Sequence, residues 1–359
     1  MTTRVLFTRG FSSVAQALHG SRLDMTAGEF ELHASYYERC SLVSQFADCF
    51  HLEPEIDDEA YVAWVLGLCA QESIDIVWPQ SRLRSLLRAK DRLEAQGVRW
   101  LLPVPDIATY EQLDDKGRLL AQLDRDEPDL PRPHYRVVRS RADFREARRE
   151  LLDVYPGMRL CIKPTRATYG AGFRIIDNKL TAFNRWLNND VLHLSAAEIE
   201  QLLESNEQQR EFLLMEYLVG TERSLDCLSD RGELIICIAR HKGLGRCQQI
   251  KYHAPSIELA RRLCRRFNLH GVINIQSRER ILPSGVREAC VLEINPRLSG
   301  GIDLCRAAGF NLPLAALRMA AGTRFGEPAA ALHGVTYVGW MQEGCRISTD
   351  ELGIANACH

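Results

Sequence analysis

The first hundred residues alternate short apolar runs with amphipathic stretches, and this alternation constrains the fold more than any single motif. Arg4–Thr8 reads as a strand; Phe30–Tyr36, Ala47–Leu52, Ile74–Trp78 and Val98–Pro103 read as further strands. Between them, Asp57 and Asp58 can cap a helix whose inward stripe is Val62, Val65, Leu66 and Cys69. Arg82–Gln96 reads as one basic amphipathic helix with Leu83, Leu86, Leu87 and Leu93 turned inward. Strands alternating with helices predict a doubly wound α/β sheet. The turn after the first strand offers only Gly10 and lacks G-x-G-x-x-G, so this unit reads as a scaffold and not as a dinucleotide site. Ser12, Ser13 and Gln80, at strand ends, are candidates to line a cleft.

Composition narrows the function classes. The 45 Lys+Arg against 47 Asp+Glu leave a net charge of −2, which argues against a globally basic nucleic-acid binder. No apolar run reaches the ~18–20 residues needed to span a bilayer, and 1–11 has no signal-peptide apolar region. No membrane partner is expected, and the expected location is cytoplasmic. The 12 cysteines run from Cys40 to Cys358 without a C-x-x-C pair. They read as reduced, mostly buried small hydrophobes, since a chain of 359 residues needs no staples.

A break follows. Asp114-Asp115-Lys116 opens a helix over Gly117–Leu123, and then Pro128, Pro131 and Pro133 fall within six residues. Beyond them, Tyr135–Val138 reads as a strand, Ser140–Leu152 as a charged helix, and Met158–Ile162 as a strand ending in Lys163-Pro164. Phe173–Ile176, a capped helix opening at Ser195-Ala-Ala-Glu198, and Phe212–Met215 complete a mixed order, which predicts a small α+β subdomain near 134–215.

Chemistry concentrates beyond the break. Lys163 precedes a loop carrying Gly170 and Gly172, and such a loop can bring backbone N–H groups to phosphate oxygens. Taken alone, it is equally a hairpin tip with incidental charges. Glu216-Tyr217-Leu218 runs into a turn that ends at Glu222, an arrangement able to present main-chain groups to a purine and a carboxylate to a ribose. On the strand from Gly271, Asn274 and Gln276 share a face. After a turn at Pro283-Ser284-Gly285, Glu293 and Asn295 share a face of the returning strand. Gln276, Glu293 and Asn295 together make an all-oxygen set, which suits Mg²⁺ and not zinc.

The ordered set Lys116, Lys163-Pro164 with Gly170 and Gly172, Glu216-Tyr217-Leu218 to Glu222, Gln276, and Glu293-Ile-Asn-Pro-Arg297-Leu-Ser-Gly resembles the ATP-grasp superfamily. Its nearest flavour is the carbamoyl phosphate synthetase-like, carboxylate–amine ligase branch. The resemblance covers about residues 1–320. It implies an α/β chain with a Rossmann-like preATP-grasp domain over 1–103 and a linker with the Lys116 helix over 104–133. A small lid subdomain over 134–215, a large subdomain over 216–325 and a tail over 326–359 follow. It further implies that Lys116 and Lys163 contact ATP phosphates, that Thr168, Gly170 and Gly172 belong to a phosphate lid, and that Glu216, Tyr217 and Leu218 form the adenine hinge. Glu222 would take the ribose, Gln276, Glu293 and Asn295 would hold Mg²⁺ or Mn²⁺, and Arg297 would steady the transferred phosphoryl group.

Two departures from the family pattern stand out. The lid carries Arg166 and Tyr169 where relatives are richer in glycine, and Gln276 stands where many have a carboxylate. The implied activity joins a small-molecule carboxylate to an amine through an acyl phosphate, releasing ADP and phosphate. Phosphorylation of a carboxylate or carbamate without ligation, and nucleotide-binding regulation without turnover, stay open beside it. A homodimer is compatible with this reading. On the acceptor side, the cationic segment from Arg240 through Arg246 to Lys251 suits an anionic substrate as well as it suits a solvated loop.

Overall fold

A computed structural model describes residues 2–168, 170–245, 247–326 and 334–341. The chain forms two compact units, one from Met1–Glu111, Arg223–Ile275 and Ile294–His359, the other from Gln112–Glu222 and Gln276–Glu293.

The first unit begins with β1 (Thr3–Phe7), α1 (Ser12–Asp24), β2 (Phe30–Tyr36), α2 (Leu42–Phe46), β3 (Cys49–Leu52), α3 (Asp58–Glu72), β4 (Ile76–Trp78), α4 (Leu83–Arg88), α5 (Lys90–Glu94) and β5 (Arg99–Trp100). The five strands form a parallel sheet in the order β3-β2-β1-β4-β5. Alternation along β1 sends Val5 and Phe7 into one core and Leu6 into another, the latter built with Tyr61, Val62 and Val65 of α3. Asp57 caps α3 by accepting from the Ala60 N–H at 2.8 Å.

Two sequence expectations need correction. The helix expected over Arg82–Gln96 is two, α4 and α5, because Ala89 leaves helical geometry at φ −95° and ψ 13°. The next turn is anchored by Lys90, whose ammonium donates to the Pro105 carbonyl at 2.9 Å. The strand expected over Val98–Pro103 shrinks to β5, since its pairing with β4 covers only Arg99 and Trp100.

The second unit follows helix α6 (Ile107–Asp114). It comprises α7 (Lys116–Asp126), β6 (Tyr135–Val138), α8 (Arg141–Val154), β7 (Leu160–Pro164), β8 (Arg174–Ile176), α9 (Ala182–Leu187), β9 (His193–Leu194), α10 (Ala196–Glu204) and β10 (Phe212–Glu216). Its sheet runs β6-β10-β7-β8-β9, mostly antiparallel. Ser140 and Ser195 each complete a capping box, with Asp143 and Glu198. Phe144, Ala147 and Leu151 of α8 and Ile199 and Leu203 of α10 cover Leu160, Ile162 and Leu214, so one sheet face is closed.

The chain then returns to the first unit through β11 (Glu222–Asp230), β12 (Glu233–Leu244), β13 (Cys247–Lys251), α11 (Ala254–Arg266), β14 (Gly271–Ile281), β15 (Arg287–Asn295), α12 (Ile302–Ala307), α13 (Leu312–Ala321) and β16 (Val335–Gly339). The sheet order is β15-β14-β11-β12-β13-β16, and the far parts of β14 and β15 run on into the second unit. Of the cationic segment, the part up to Leu244 belongs to β12 and Cys247–Lys251 is β13, which pairs back on β12. Arg240 follows Ile236 and Ile238 on the core-facing side of β12, and this charge interrupts an otherwise apolar alternation. Ten cysteines among the described residues are unpaired; six are buried, while Cys40 and Cys247 are exposed.

Candidate active site

The second unit gathers most of the expected site. On β7 the side chains alternate, so Ile162 enters the helix-covered core and Lys163 emerges on the other face beside the strand's end. Lys163 is half-buried, and among the described residues nothing accepts a hydrogen bond from its ammonium. Burial pulls its pKa below the ordinary lysine range; Glu293 opposes that shift and Lys116 adds to it. Lys116, at the first turn of α7, lies with its Nζ 3.4 Å from Glu293 Oε2 and donates to the Ala167 carbonyl at 2.9 Å.

Asp115, which the sequence places only at the opening of this helix, fixes that geometry. Asp115 is buried and caps α7 by accepting from the Gly117 and Arg118 N–H groups at 3.0 and 3.1 Å. Its second oxygen accepts from Thr165 Oγ1 at 3.3 Å and Arg166 Nε at 3.2 Å. The start of α7 and the base of the glycine loop are therefore tied through one carboxylate. The loop turns twice, with Ala171 N–H donating to Thr168 and Phe173 N–H to Gly170. At Gly172, φ is +75° and a Cβ would fall 2.8 Å from the Pro164 ring, so only glycine fits. Thr168 and Gly170 are exposed, and Tyr169 lies outside the described residues.

The segment expected to form the hinge is the end of β10 and the turn after it. Glu216 does not present its carboxylate to the site: Arg280 donates to it at 2.6 Å, and the His134 N–H at 3.3 Å. Tyr217 donates its N–H to the Arg159 carbonyl and lies between the Arg159 and Arg278 guanidinium groups, 4.8 and 5.1 Å from its ring centre. Gly220 donates to the Glu279 carbonyl. Between these, among the described residues nothing accepts from the N–H groups of Leu218 and Val219. Arg278 also donates to the Gly220 carbonyl at 3.1 Å and lies 3.8 Å from Glu222 Oε2. Arg278 and Arg280 escaped the sequence reading, yet the alternation that exposes Gln276 puts both on the same half-buried face of β14.

This arrangement fits a nucleotide. Unspent hinge N–H groups suit a purine edge, Lys163 and the Glu293-bound Lys116 carry positive charge for phosphates, and Glu222 offers an acceptor for a hydroxyl. Within the second unit, Glu293 and Gln276 offer oxygen donors of the kind that suits Mg²⁺.

The remaining candidates belong to the first unit. Asn295 closes β15, and its Oδ1 accepts from Arg297 Nη2 at 3.2 Å; the Arg297 guanidinium stands 5.2 Å from the Phe11 ring centre. Arg240 is 2% exposed, and its guanidinium donates to Asp226, Gln248, Ser224 and Ser299. It is an interior residue, not one presented to solvent. Lys251 is exposed at the end of β13, and Arg246 lies outside the described residues. A hollow of about 570 Å³ in the second unit, lined by Arg132, His134, Tyr155 and Arg280, holds none of the expected site residues.

A family model described as ATP-grasp in the biosynthetic pathway with the Ter operon matches residues 208–343. No curated protein sequence matches significantly. Among solved structures, the biotin carboxylase domain of Hydrogenobacter thermophilus 2-oxoglutarate carboxylase, in complex with MgADP, ADP and bicarbonate, is similar at a TM-score of 0.63 and 15% identity, covering 94% of this chain and 74% of that one. The ADP complex of the N5-carboxyaminoimidazole ribonucleotide synthetase purK gives 0.64 and 13%, covering 91% and 78%. The Staphylococcus aureus N5-carboxyaminoimidazole synthetase with ADP gives 0.63 and 12%, covering 90% and 78%. The family match covers residues 208–343, and the similar structures share the chain's α/β fold.

Proposed function

We propose that the chain is an ATP-dependent ligase that joins a small carboxylate to an amine and releases ADP and phosphate. The observation that carries this reading is the Lys116–Glu293 ion pair, with Lys163 in the electrostatic reach of the same carboxylate, within the unit that also holds the unspent hinge N–H groups and Glu222. Such a site needs little covalent chemistry of its own. It positions the γ-phosphate and neutralises charge developing there while a carboxylate oxygen attacks in line. The resulting acyl phosphate is then open to an amine, with phosphate leaving. Mg²⁺, or Mn²⁺, held by Glu293 with Gln276 and Asn295, would supply further charge neutralisation on the phosphates. Arg297 is the proposed group that steadies the phosphoryl being transferred. Glu293 is already engaged by Lys116, so metal should bind together with nucleotide, whose phosphates would compete for the lysine.

The test supplies Mg–ATP with a panel of carboxylates and amines and separates the nucleotide products. The expected products are ADP and phosphate, formed only when both substrates are present. Glu293→Ala should abolish turnover while the unfolding transition persists. AMP as the main product would sink the acyl-phosphate mechanism. ADP release needing a carboxylate alone would favour phosphorylation without ligation, and none at all would favour a regulatory nucleotide-binding role.

A further inference from the structure

The parallel sheet of the first unit ends at β3, and its outer strand pair carries a cluster that the nucleotide chemistry does not use. Alternation along β2 sends Phe30, Leu32 and Ala34 into the core and puts Glu31 and His33 on the opposite face. The parallel register sets Cys49 opposite His33. Glu31 Oε1 lies 3.0 Å from His33 Nε2 and 3.8 Å from Cys49 Sγ, and the three donor atoms are all within 4.8 Å of one another. Ligand atoms around a tetrahedral Zn²⁺ stand about 3.3–3.8 Å apart, given bonds of roughly 2.0–2.3 Å. The Glu31–Cys49 distance already has that spacing, and the other two, 3.0 Å and within 4.8 Å, need only small side-chain shifts to reach it.

The surroundings are those of ligands held in place. The other oxygen of Glu31 accepts from Arg4 Nε at 3.3 Å. His33 is buried, and its Nδ1 lies 3.0 Å from His51 Nε2, the two rings stacked with centres 5.2 Å apart. Metal-bound imidazoles commonly donate their second ring N–H to a neighbour, and metal-bound carboxylates are commonly hydrogen-bonded in turn. Glu31 and Cys49 keep partial exposure at the sheet edge, which leaves a way in.

We propose that Glu31, His33 and Cys49 form a Zn²⁺ site separate from the nucleotide site, with His51 and Arg4 as positioning residues. The sulfur, nitrogen and oxygen donors select a zinc-like ion over Mg²⁺ or Ca²⁺. Binding through His33 Nε2 requires its proton on Nδ1, where His51 Nε2 accepts it. Cys49 binds as thiolate and yields its proton to solvent. Three protein ligands leave a fourth position for water.

The experiment titrates the chelator-treated full chain with Co²⁺, without nucleotide, and follows absorption. One equivalent should saturate a sulfur-to-cobalt charge-transfer band, and Zn²⁺ should displace it. Cys49→Ser should abolish the band and leave the metal-free unfolding transition where it was. His51→Phe should keep the band and weaken affinity about 10–100-fold. Should Cys49→Ser not fold, Glu31→Gln serves instead, with loss of tight zinc binding by calorimetry as the expected result. No saturable band, a band that survives Cys49→Ser, or undiminished zinc affinity in Glu31→Gln would overturn the proposal.

Discussion

Lys163→Met separates a binding lysine from a structural one. Methionine keeps the aliphatic stem and removes the charge. In the free protein that charge is disfavoured, because burial and Lys116 act against it and Glu293 only partly compensates. The folded-state pKa is depressed below the ordinary 10.5, so the unfolded chain binds this proton more tightly than the folded one. The destabilisation is therefore full below the folded pKa, falls as pH rises beyond it, and is gone above 10.5. Lys163→Met should thus be as stable as the parent or more so at pH 7, with the difference closing at high pH. Nucleotide binding should respond in the opposite sense. A hydrogen bond to a charged group is worth about 1.5–3 kcal/mol, so losing the one proposed to phosphate should weaken Mg–ATP binding about 10- to 150-fold. Denaturant melts and titration calorimetry on the same preparation read both effects. A variant that loses stability and keeps its affinity for nucleotide would refute the reasoning, since the lysine would then be a structural ion-pair partner.

Two further outcomes follow from the first unit alone. Asp226 and Arg240 form a fully buried ion pair at 2.6 Å, so Asp226→Ala should cost about 3–5 kcal/mol by denaturant melt, and Asp226→Leu combined with Arg240→Met should cost less because no charge is left unpaired. Glu29 accepts from Arg318 at 2.6 and 2.8 Å, and this bonding holds its carboxyl below the ordinary 4.5. Its contribution is complete above 4.5 and fades as pH drops through the folded value, so Glu29→Gln should flatten the loss of stability below about pH 4.5 and an unchanged acid slope would count against it.

Local signals were legible where one residue decides a local geometry. Asp57, Ser140 and Ser195 cap helices where the sequence places them, because a side-chain oxygen two or three residues from an unpaired N–H is a property of the chain itself. The break at Ala89 carries no such marker in the sequence, and the Lys90 contact with the Pro105 carbonyl beside it is long-range. The β12–β13 hairpin was hidden for a different reason. Arg240 and Gln248 occupy core-facing positions, which apolar periodicity reads as solvent, and only Asp226 on β11 reveals why they are tolerated. In the site, Lys116, Lys163 and Glu293 were legible as an ordered set, and the fold brings them into one unit. The fate of the Glu216 carboxylate was not, since its partner Arg280 lies 64 residues away.

The two halves of the proposed reaction differ in legibility for a chemical reason. The triphosphate and adenine of ATP are the same at every ATP site, so the groups that bind them recur as lysines, a glycine loop and exposed main-chain N–H groups that a sequence can display. An acceptor substrate has no fixed chemistry, and a cation near the right place can be committed elsewhere. Arg240 illustrates this. Its Nε goes to Asp226, its Nη1 to Gln248, and its Nη2 to Ser224 and Ser299. A guanidinium so engaged has little left with which to recognise an anion. Its position against Gly301, where a Cβ would fall 2.4 Å from Nη1, shows what it does support. Through Ser299 and Gly301 it braces the segment that follows Asn295-Pro296-Arg297. Arg240 therefore holds the backbone beyond Arg297, and under the proposed reaction acceptor specificity is to be sought in other residues.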